Sequence, residues 1–447
     1  METVERAPTI SELIDQRPMS RFQINTMLLC GLVLVLDGFA TQSIGFLAPS
    51  MAQSLHLPVS TFGPVFAAAL FGLMLSSILA GSIADLVGRK GPIIFATLTF
   101  GVFTIATARA SSFHQLVIFR FLTGLGLGSA IPNVVALVTE YSPRRRQQIL
   151  VTTLFCGMPF GALLGGIIST LMLPRWGWRS IFYAGGFLPL GVALILTWRL
   201  PESLRFLSTR GTSRQIVDKI VARIAPGVTH FDLDSPTAKV DHGFNGIPAI
   251  RLFTEGRAMG TILLWIPFFM NLLLLYFIVN WLPALLRQTH MPTIAGIISI
   301  SLFSLGGMAG SLLQGYAMKF YGGKRVLLAE FILCIGLVCS LAFIVSFPLM
   351  MAITFVAGVF VQGAQAGINA LSATFYPTSI RSTGVGWALG VGRLGSILGP
   401  IVGGMMLSHA WHLKSIFLVG SLPALFAAIA ILLSSFLPID RSPYRSI

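Results

Sequence analysis

The chain has 447 residues, of which 55% are hydrophobic and only 10% are charged, whereas a soluble domain carries roughly 25% charged residues. This composition excludes an ordinary soluble protein and predicts a membrane protein. The formal net charge of +15 would also fit a nucleic-acid-binding protein. However, the basic residues fall mostly in the predicted loops and tails, so we expect a bilayer partner and no nucleic acid.

Apolar runs long enough to cross the hydrocarbon core recur along the whole chain. The first begins too late, and lasts too long, for a signal peptide, so residues 1–23 are expected to stay as a polar N-terminal tail. The charged segment 201–258 is predicted to be a cytoplasmic linker with a short helix. Residues 437–447 are predicted to form a C-terminal tail. The runs predict twelve transmembrane helices at 24–48, 61–83, 91–109, 113–139, 148–172, 180–199, 259–286, 293–318, 324–346, 348–374, 382–408 and 413–436.

The distribution of the 30 lysine and arginine residues predicts the topology. With an even number of spans both termini share one side of the membrane, and most of the basic residues lie on that side. The positive-inside rule therefore places both termini in the cytoplasm of a multi-pass inner-membrane protein. The opposite, periplasmic side is predicted to hold only Arg109, Arg175, Arg179, Arg287 and Lys414.

The two halves of the chain repeat each other. At an offset of 234 residues Pro49 aligns with Pro283, and Gly72 with Gly306. We therefore expect an all-α membrane protein with two pseudo-symmetric six-helix bundles, at 24–200 and 259–436. Glycines at every fourth residue are expected to allow close helix packing. At an offset of 238, Gly157, Gly161, Gly165 and Gly166 align with Gly395, Gly399, Gly403 and Gly404.

The loop motif GSIADLVGRK, residues 81–90, resembles the signature loop of the major facilitator superfamily. RFLTGLGLG, EYSPRRR and PESLRF resemble the superfamily's later motifs, so the resemblance covers nearly the whole chain. It implies a conformational latch that forms when the cytoplasmic side closes. The alternative is a solvated turn with ordinary positive-inside charges. The expected latch residues are Gly81, Asp85, Gly88, Arg89, Glu140 and Arg144.

Four ionisable residues lie inside predicted spans and away from the ends of those spans. A charge there is costly and therefore indicates function by default. A buried carboxylate at Asp37 could take up and release a proton. A buried arginine such as Arg393 or Arg120 could bind the carboxylate of a substrate through its forked donors. Glu330 is a further candidate for proton coupling, although it is near enough to the interface to be structural.

Aromatic and polar side chains near these positions could form the walls of a binding cavity. They would supply flat apolar surfaces and a few hydrogen bonds to a substrate. The competing interpretation is packing against lipid or at the interface. The candidates are Phe39, Phe46, Tyr276, Asn280, Trp281 and Trp387.

The stretch LDGFATQSIGFLAP, residues 36–49, resembles the first-helix signature of the aromatic acid/proton symporter family, which reads Asp-Gly-x-Asp. NWLP and YPTSIRSTGVGWALGVGRLGSILGP are similar to other segments of that family. The resemblance implies proton-driven uptake of compounds such as 4-hydroxybenzoate, protocatechuate, benzoate or gallate. It also implies functional roles for Asp37, Arg120 and Arg393.

The chain departs from that signature at Ala40, where the family has a second aspartate. On a helix this position shares a face with Asp37, so the alanine removes a carboxylate one turn away. The alanine is either an engineered substitution that weakens proton coupling, or a natural feature of a member that couples through Asp37 alone. Both explanations make proton coupling doubtful in this sequence, while substrate binding could persist.

The predicted function is import of an aromatic carboxylate by alternating access, with the proton as coupling ion and no other cofactor. We expect a monomer. An efflux antiporter of the same fold and a receptor that binds an aromatic acid without transporting it are the alternatives. An enzyme is not expected, because the loops show no nucleophile with a base and no metal-ligand cluster.

Overall fold

The computed structural model describes residues 8–209, 214–228, 231–232, 248–254, 256–287, 293–343, 346–377 and 380–436, and these are almost entirely helical. Short 3₁₀ helices lie at Val59–Thr61 and Pro248–Phe253. The α-helices are α1 (Ile10–Gln16), α2 (Arg21–Ser54), α3 (Phe62–Val87), α4 (Lys90–Ala108), α5 (Phe113–Glu140), α6 (Arg144–Phe155), α7 (Gly157–Arg199), α8 (Leu204–Thr209), α9 (Arg214–Ile224), α10 (Ala258–Arg287), α11 (Thr293–Tyr321), α12 (Gly323–Leu341), α13 (Phe347–Phe375), α14 (Arg381–Ser408), α15 (Leu413–Gly420) and α16 (Leu422–Phe436).

Ten helical stretches among the described residues are long and apolar enough to span a membrane. One of them, Arg144–Arg199, contains two of the predicted spans, because α7 consists of two arms joined at Gly177, whose φ of 71° breaks the helix. The predicted span 324–346 corresponds to α12. That helix is not among the ten, since it carries three charged side chains, Lys324, Arg325 and Glu330. The structure therefore has a helix for each of the twelve predicted spans.

The chain forms two compact units. The first contains residues 1–43, 68–165 and 172–243, and the second contains residues 44–67, 166–171 and 244–447. The end of α2, the start of α3 and a short part of α7 thus belong to the second unit. The division of the chain into six-helix bundles at 24–200 and 259–436 remains a prediction.

Close helix packing at glycine recurs in both units. In the first unit, a side chain at Gly161 of α7 would collide with the carbonyl oxygen of Val35 on α2. In the second unit, a side chain at Gly399 of α14 would collide with the carbonyl oxygen of Leu273 on α10. Both residues of the second pair lie 238 positions after those of the first, so the sequence repeat is also a repeat of contacts. This supports the packing role expected for these glycines.

Residues 10–16, expected to be part of a polar tail, instead form the amphipathic helix α1. Its apolar residues Ile10, Leu13 and Ile14 have the spacing of one helix face, and all three are buried in the apolar core of the first unit. Thr9 and Glu12 form a capping box at its N-terminus, which satisfies backbone N–H groups that the first turn leaves without partners. The same core contains buried residues of α9, the short helix predicted in the linker.

Replacement of Gly161 by alanine should destabilise the protein, because the added methyl group must displace the backbone of α2. We expect a loss of about 1–3 kcal/mol, the usual cost of overpacking, and a lower melting temperature of the detergent-purified protein. Gly191, on the same helix, is the matched control, since nothing lies within 4 Å of a methyl group added there. Equal melting temperatures for Gly161→Ala and Gly191→Ala would contradict the packing role.

Candidate functional site

Asp37 lies in the middle of α2 and is completely buried. Thr41, one turn further along the helix, donates a hydrogen bond from Oγ1 to Oδ1 of Asp37 at 3.0 Å. A carboxylate at this depth in a membrane helix is costly and usually functional. The structure thus places the predicted proton-coupling residue in the interior of the first unit, next to a hydroxyl group that can stabilise it.

Arg120, on α5, is buried against α2 with only 1% of its surface exposed. Its Nη2 donates a hydrogen bond to the carbonyl oxygen of Ala40 at 3.2 Å. Its Nε and Nη1 are buried and have no hydrogen-bond partner among the described residues. A guanidinium group in this state is strongly attracted to a carboxylate, because burial removes the water that would otherwise solvate its charge. Ala40, the position where the resembling family has an aspartate, is therefore directly next to a buried cation.

Arg393 lies at mid-length in α14 and is partly buried. Its backbone carbonyl accepts a hydrogen bond from Ser396 at 2.6 Å. Within the described part of the chain, its guanidinium group forms no ion pair and no side-chain hydrogen bond. Its forked donors are therefore not occupied by described side chains, and its role in binding a carboxylate stays a prediction.

Glu330 is buried between helices of the second unit. Its Oε2 accepts a hydrogen bond from Nε2 of Gln314, on α11, at 3.1 Å. Gln314 also lies next to Gly367 of α13. The carboxylate thus contacts a neutral amide in the core of three helices, and the role of Glu330 in proton coupling stays a prediction.

The predicted cavity residues are found in several environments. Trp281 is fully buried; its indole donates to the carbonyl oxygen of Pro400 at 2.9 Å and packs edge-on against Phe66. Phe39 is buried next to Gly185, and Phe46 is completely buried. These three side chains already have packing roles. The side-chain amide of Asn280 donates to the backbone of Tyr276, and Trp387 is 47% exposed and stacks on Trp265.

The expected latch is built around Arg89, which follows α3. Its Nε forms an ion pair with Oε1 of Glu140, at the end of α5, at 3.0 Å. The second carboxylate oxygen of Glu140 accepts a hydrogen bond from the hydroxyl of Ser203 at 2.6 Å. The Arg89–Glu140 pair is largely shielded from solvent, which makes it stronger than a typical surface pair. Two of the predicted latch residues are thus brought together, with Ser203 as an additional partner.

Glu202, which the sequence reasoning did not select, caps the start of α4. Its Oε1 accepts hydrogen bonds from the backbone N–H groups of Arg89 at 2.7 Å and Lys90 at 3.1 Å. A carboxylate at this position satisfies free N–H groups and interacts favourably with the helix dipole. Gly88 is required beside it, since its φ is +88° and a side chain there would meet the Glu202 carboxylate. The motif PESLRF includes Glu202, but only the folded structure shows that its carboxylate binds the N–H groups at the start of α4.

Tyr141 joins the same cluster of residues from the end of α5. Its hydroxyl donates to the backbone carbonyl of Glu202 at 2.7 Å. Burial, together with the negative charges of Glu140 and Glu202, raises the pKa of Tyr141 well above its ordinary value. The phenol therefore stays neutral at physiological pH and keeps its role as a donor.

Arg144, also predicted in the latch, pairs elsewhere. Its backbone N–H donates to Oδ1 of Asp15 at 2.7 Å, and its Nε lies 3.5 Å from Oδ2. It thus connects the start of α6 to the N-terminal helix α1 and does not pair with Glu140. Gly81 and Asp85 are in α3, but their side chains lie outside the described residues.

Ten helical stretches among the described residues are long and apolar enough to span a membrane, which is typical of a polytopic membrane protein. A family model described as Major Facilitator Superfamily matches residues 30–347 and 292–446. The chain is similar to the 4-hydroxybenzoate transporter PcaK of Acinetobacter baylyi, with 39% identity over 429 residues covering 95% of this chain and 93% of the relative. The gallate transporter of Pseudomonas putida is 37% identical over 439 residues, covering 97% of this chain and 96% of the relative. The chain belongs to the major facilitator superfamily and, within it, to the family of aromatic acid transporters.

The comparison with solved structures confirms the fold. The inward-open xylose transporter XylE from E. coli superposes with a TM-score of 0.73 at 18% identity, covering 94% of this chain and 98% of XylE. The expected fold class, an all-α membrane protein with the major facilitator fold, is therefore confirmed. Since the relatives are named transporters, the protein is a transporter and not an enzyme.

Replacement of Glu202 by alanine should lower the stability of the first unit, because the N–H groups at the start of α4 lose their acceptor. The expected cost is about 1–2 kcal/mol, and Glu202→Gln should cost less because it keeps an acceptor oxygen. The melting temperature of the purified protein measures the effect. Asp218→Ala is the control, since it removes an exposed carboxylate from the linker helix. Equal effects of Glu202→Ala and Asp218→Ala would exclude the capping role.

Proposed function

We propose that the protein imports a hydroxybenzoate-type aromatic carboxylate together with a proton, by alternating access. The observation that carries the proposal is Arg120, a buried cation whose guanidinium group donates, among the described residues, a hydrogen bond to the backbone of Ala40 and no other. A buried cation without an anionic partner can bind an anionic substrate. An arginine with a purely structural role would instead need an anionic partner to balance its charge. The names of the relatives, transporters of 4-hydroxybenzoate, gallate and benzoate, support this substrate class.

In the proposed mechanism a buried arginine binds the substrate carboxylate through two parallel N–H donors. The candidates for this arginine are Arg393 on α14 and Arg120 on α5. Aromatic side chains hold the ring. Asp37 binds the coupling proton, and its neutralisation lowers the cost of moving a buried charge during the conformational change. Substrate and proton then leave on the same side, and no other cofactor is needed.

Alternating access requires contacts that close one side of the membrane and then separate. Arg287, at the end of α10, donates hydrogen bonds to the carbonyl oxygen of Pro49 at 3.0 Å and to Gln53 at 3.0 Å. Pro49 and Gln53 belong to the part of α2 that lies in the second unit. By the predicted topology these contacts are periplasmic. We propose that they close the periplasmic entrance and break when it opens.

The Arg89–Glu140 pair is the proposed counterpart on the cytoplasmic side. An ion pair shielded from solvent stabilises one arrangement of the helix ends without preventing another, because its charges regain water when it separates. We propose that the protein acts as a monomer in the inner membrane, with both termini in the cytoplasm.

Introduction of an aspartate at position 40 should increase proton-driven uptake, because the new carboxylate would stand one turn from Asp37 and next to Arg120. Uptake of radiolabelled 4-hydroxybenzoate, protocatechuate, gallate and benzoate into proteoliposomes under an imposed proton gradient measures the effect. Ala40→Asn is the matched control, since it adds a side chain of the same shape without a charge. We expect several-fold higher uptake for Ala40→Asp alone.

The melting temperature of the same variants gives an independent readout. Pairing with Arg120 should make Ala40→Asp more stable than Ala40→Asn. Uptake by Ala40→Asp that is insensitive to pH and to uncouplers would overturn proton symport. Equal gradient-driven uptake by the original chain and Ala40→Asp would instead show that Asp37 is sufficient.

Replacement of Arg393 by lysine should weaken substrate binding, because an ammonium group cannot form the two parallel hydrogen bonds that a guanidinium group makes to a carboxylate. We expect KM for the preferred aromatic acid to rise roughly tenfold, the consequence of losing about one charge-assisted hydrogen bond. Arg325→Lys, an exposed position on α12, is the control. An unchanged KM in Arg393→Lys would remove Arg393 from the substrate site.

A further inference from the structure

A groove with a volume of about 860 Å³ lies on the first unit, apart from the residues proposed for transport. Its walls come from the first turns of α2, the last turn of α7 and the linker helix α9. The apolar part is formed mainly by Leu28, Leu32 and Trp198. The polar part contains Asn25, Arg199 and Arg223.

The polar part of the groove is cationic. Among the described residues that line it, Arg199 and Arg223 are the charged ones, and no acidic residue accompanies them. Neither arginine forms an ion pair with a residue that the structure describes. Arg223 lies over the ring of Phe22, with its guanidinium carbon 5.7 Å from the ring centroid. This contact holds the arginine at the groove and leaves its N–H donors available.

The apolar part faces the membrane. Leu28 is 66% exposed and Trp198 is 77% exposed, although both belong to helices that span the bilayer. Side chains exposed on such helices contact lipid tails, and a tryptophan at a helix end is typical of the lipid–water interface. Arg199 is the last residue of α7, so the cationic part of the groove is at the depth of the lipid head groups.

We propose that this groove binds one anionic phospholipid. Its phosphate is held by Arg199 and Arg223, and an acyl chain lies along Leu28 and Leu32. The charge of the groove matches an anionic head group, and the predicted topology places it in the cytoplasmic leaflet, where basic residues attract anionic lipid. Because α9 belongs to the linker, the bound lipid would connect the linker to α2 and α7. The inference does not depend on the transported substrate.

Native mass spectrometry of the full-length protein, purified in detergent and titrated with phosphatidylglycerol or phosphatidylethanolamine, tests the proposal. The original chain should retain phosphatidylglycerol in preference to phosphatidylethanolamine. The Arg199→Gln/Arg223→Gln double variant should bind phosphatidylglycerol roughly thirtyfold more weakly, as expected for the loss of two cations near a head group. Arg145→Gln/Arg325→Gln is the matched control, because it removes the same charge from exposed positions outside the groove.

Three outcomes would overturn the proposal. The first is equal retention of the two lipids by the original chain. The second is equal binding of phosphatidylglycerol by the two double variants, which would show general electrostatic attraction. The third is displacement of the lipid by millimolar glycerol 3-phosphate, which would assign the arginines to a soluble phosphate compound. Melting temperatures of both double variants, measured without added lipid, show whether each variant is folded.

Discussion

Contact between helix backbones at glycine is the constraint on which this structure depends. Helices in lipid gain little from the hydrophobic effect when they associate, so they must be held together by close van der Waals contact, and small residues permit it. Gly161 lets α7 approach α2 in the first unit, and Gly399 lets α14 approach α10 in the second. The first contact lies close to Asp37 on α2, and the second is one to two turns from Arg393 on α14.

The buried charges differ in how completely the protein satisfies them. Glu330 accepts a hydrogen bond from the amide of Gln314 in the core of its unit. Arg120 has a single hydrogen bond, and two of its nitrogens have no partner in the described part of the protein. A charged side chain in a membrane helix whose hydrogen-bond donors are not all occupied is a good candidate for binding a ligand. Depth in the membrane alone does not reveal this difference between the two environments.

The linker helix α9 and the N-terminal helix α1 are integral parts of the first unit. Helix α1 packs in the same apolar core as α9, and Asp15 connects α1 to Arg144 at the start of α6. Nearby, Glu202 holds the start of α4, and Glu140 holds Arg89. A structural change in these loops would therefore also affect the N-terminal helix α1 and the linker helix α9. The groove with Arg199 and Arg223 lies in this region as well.

The sequence by itself determined the spans, the repeat, the family and the identity of the buried charges, because hydropathy, spacing and motifs are local properties of the chain. It also contained the capping box and the apolar face of α1, which the expectation of a polar tail overlooked. The tertiary structure alone decided that Glu202 caps α4, that Arg144 pairs with Asp15 and that Arg120 reaches Ala40. These partners are 80 to 129 residues apart in the chain. No local pattern specifies such pairings, since they follow from how the helices pack against one another.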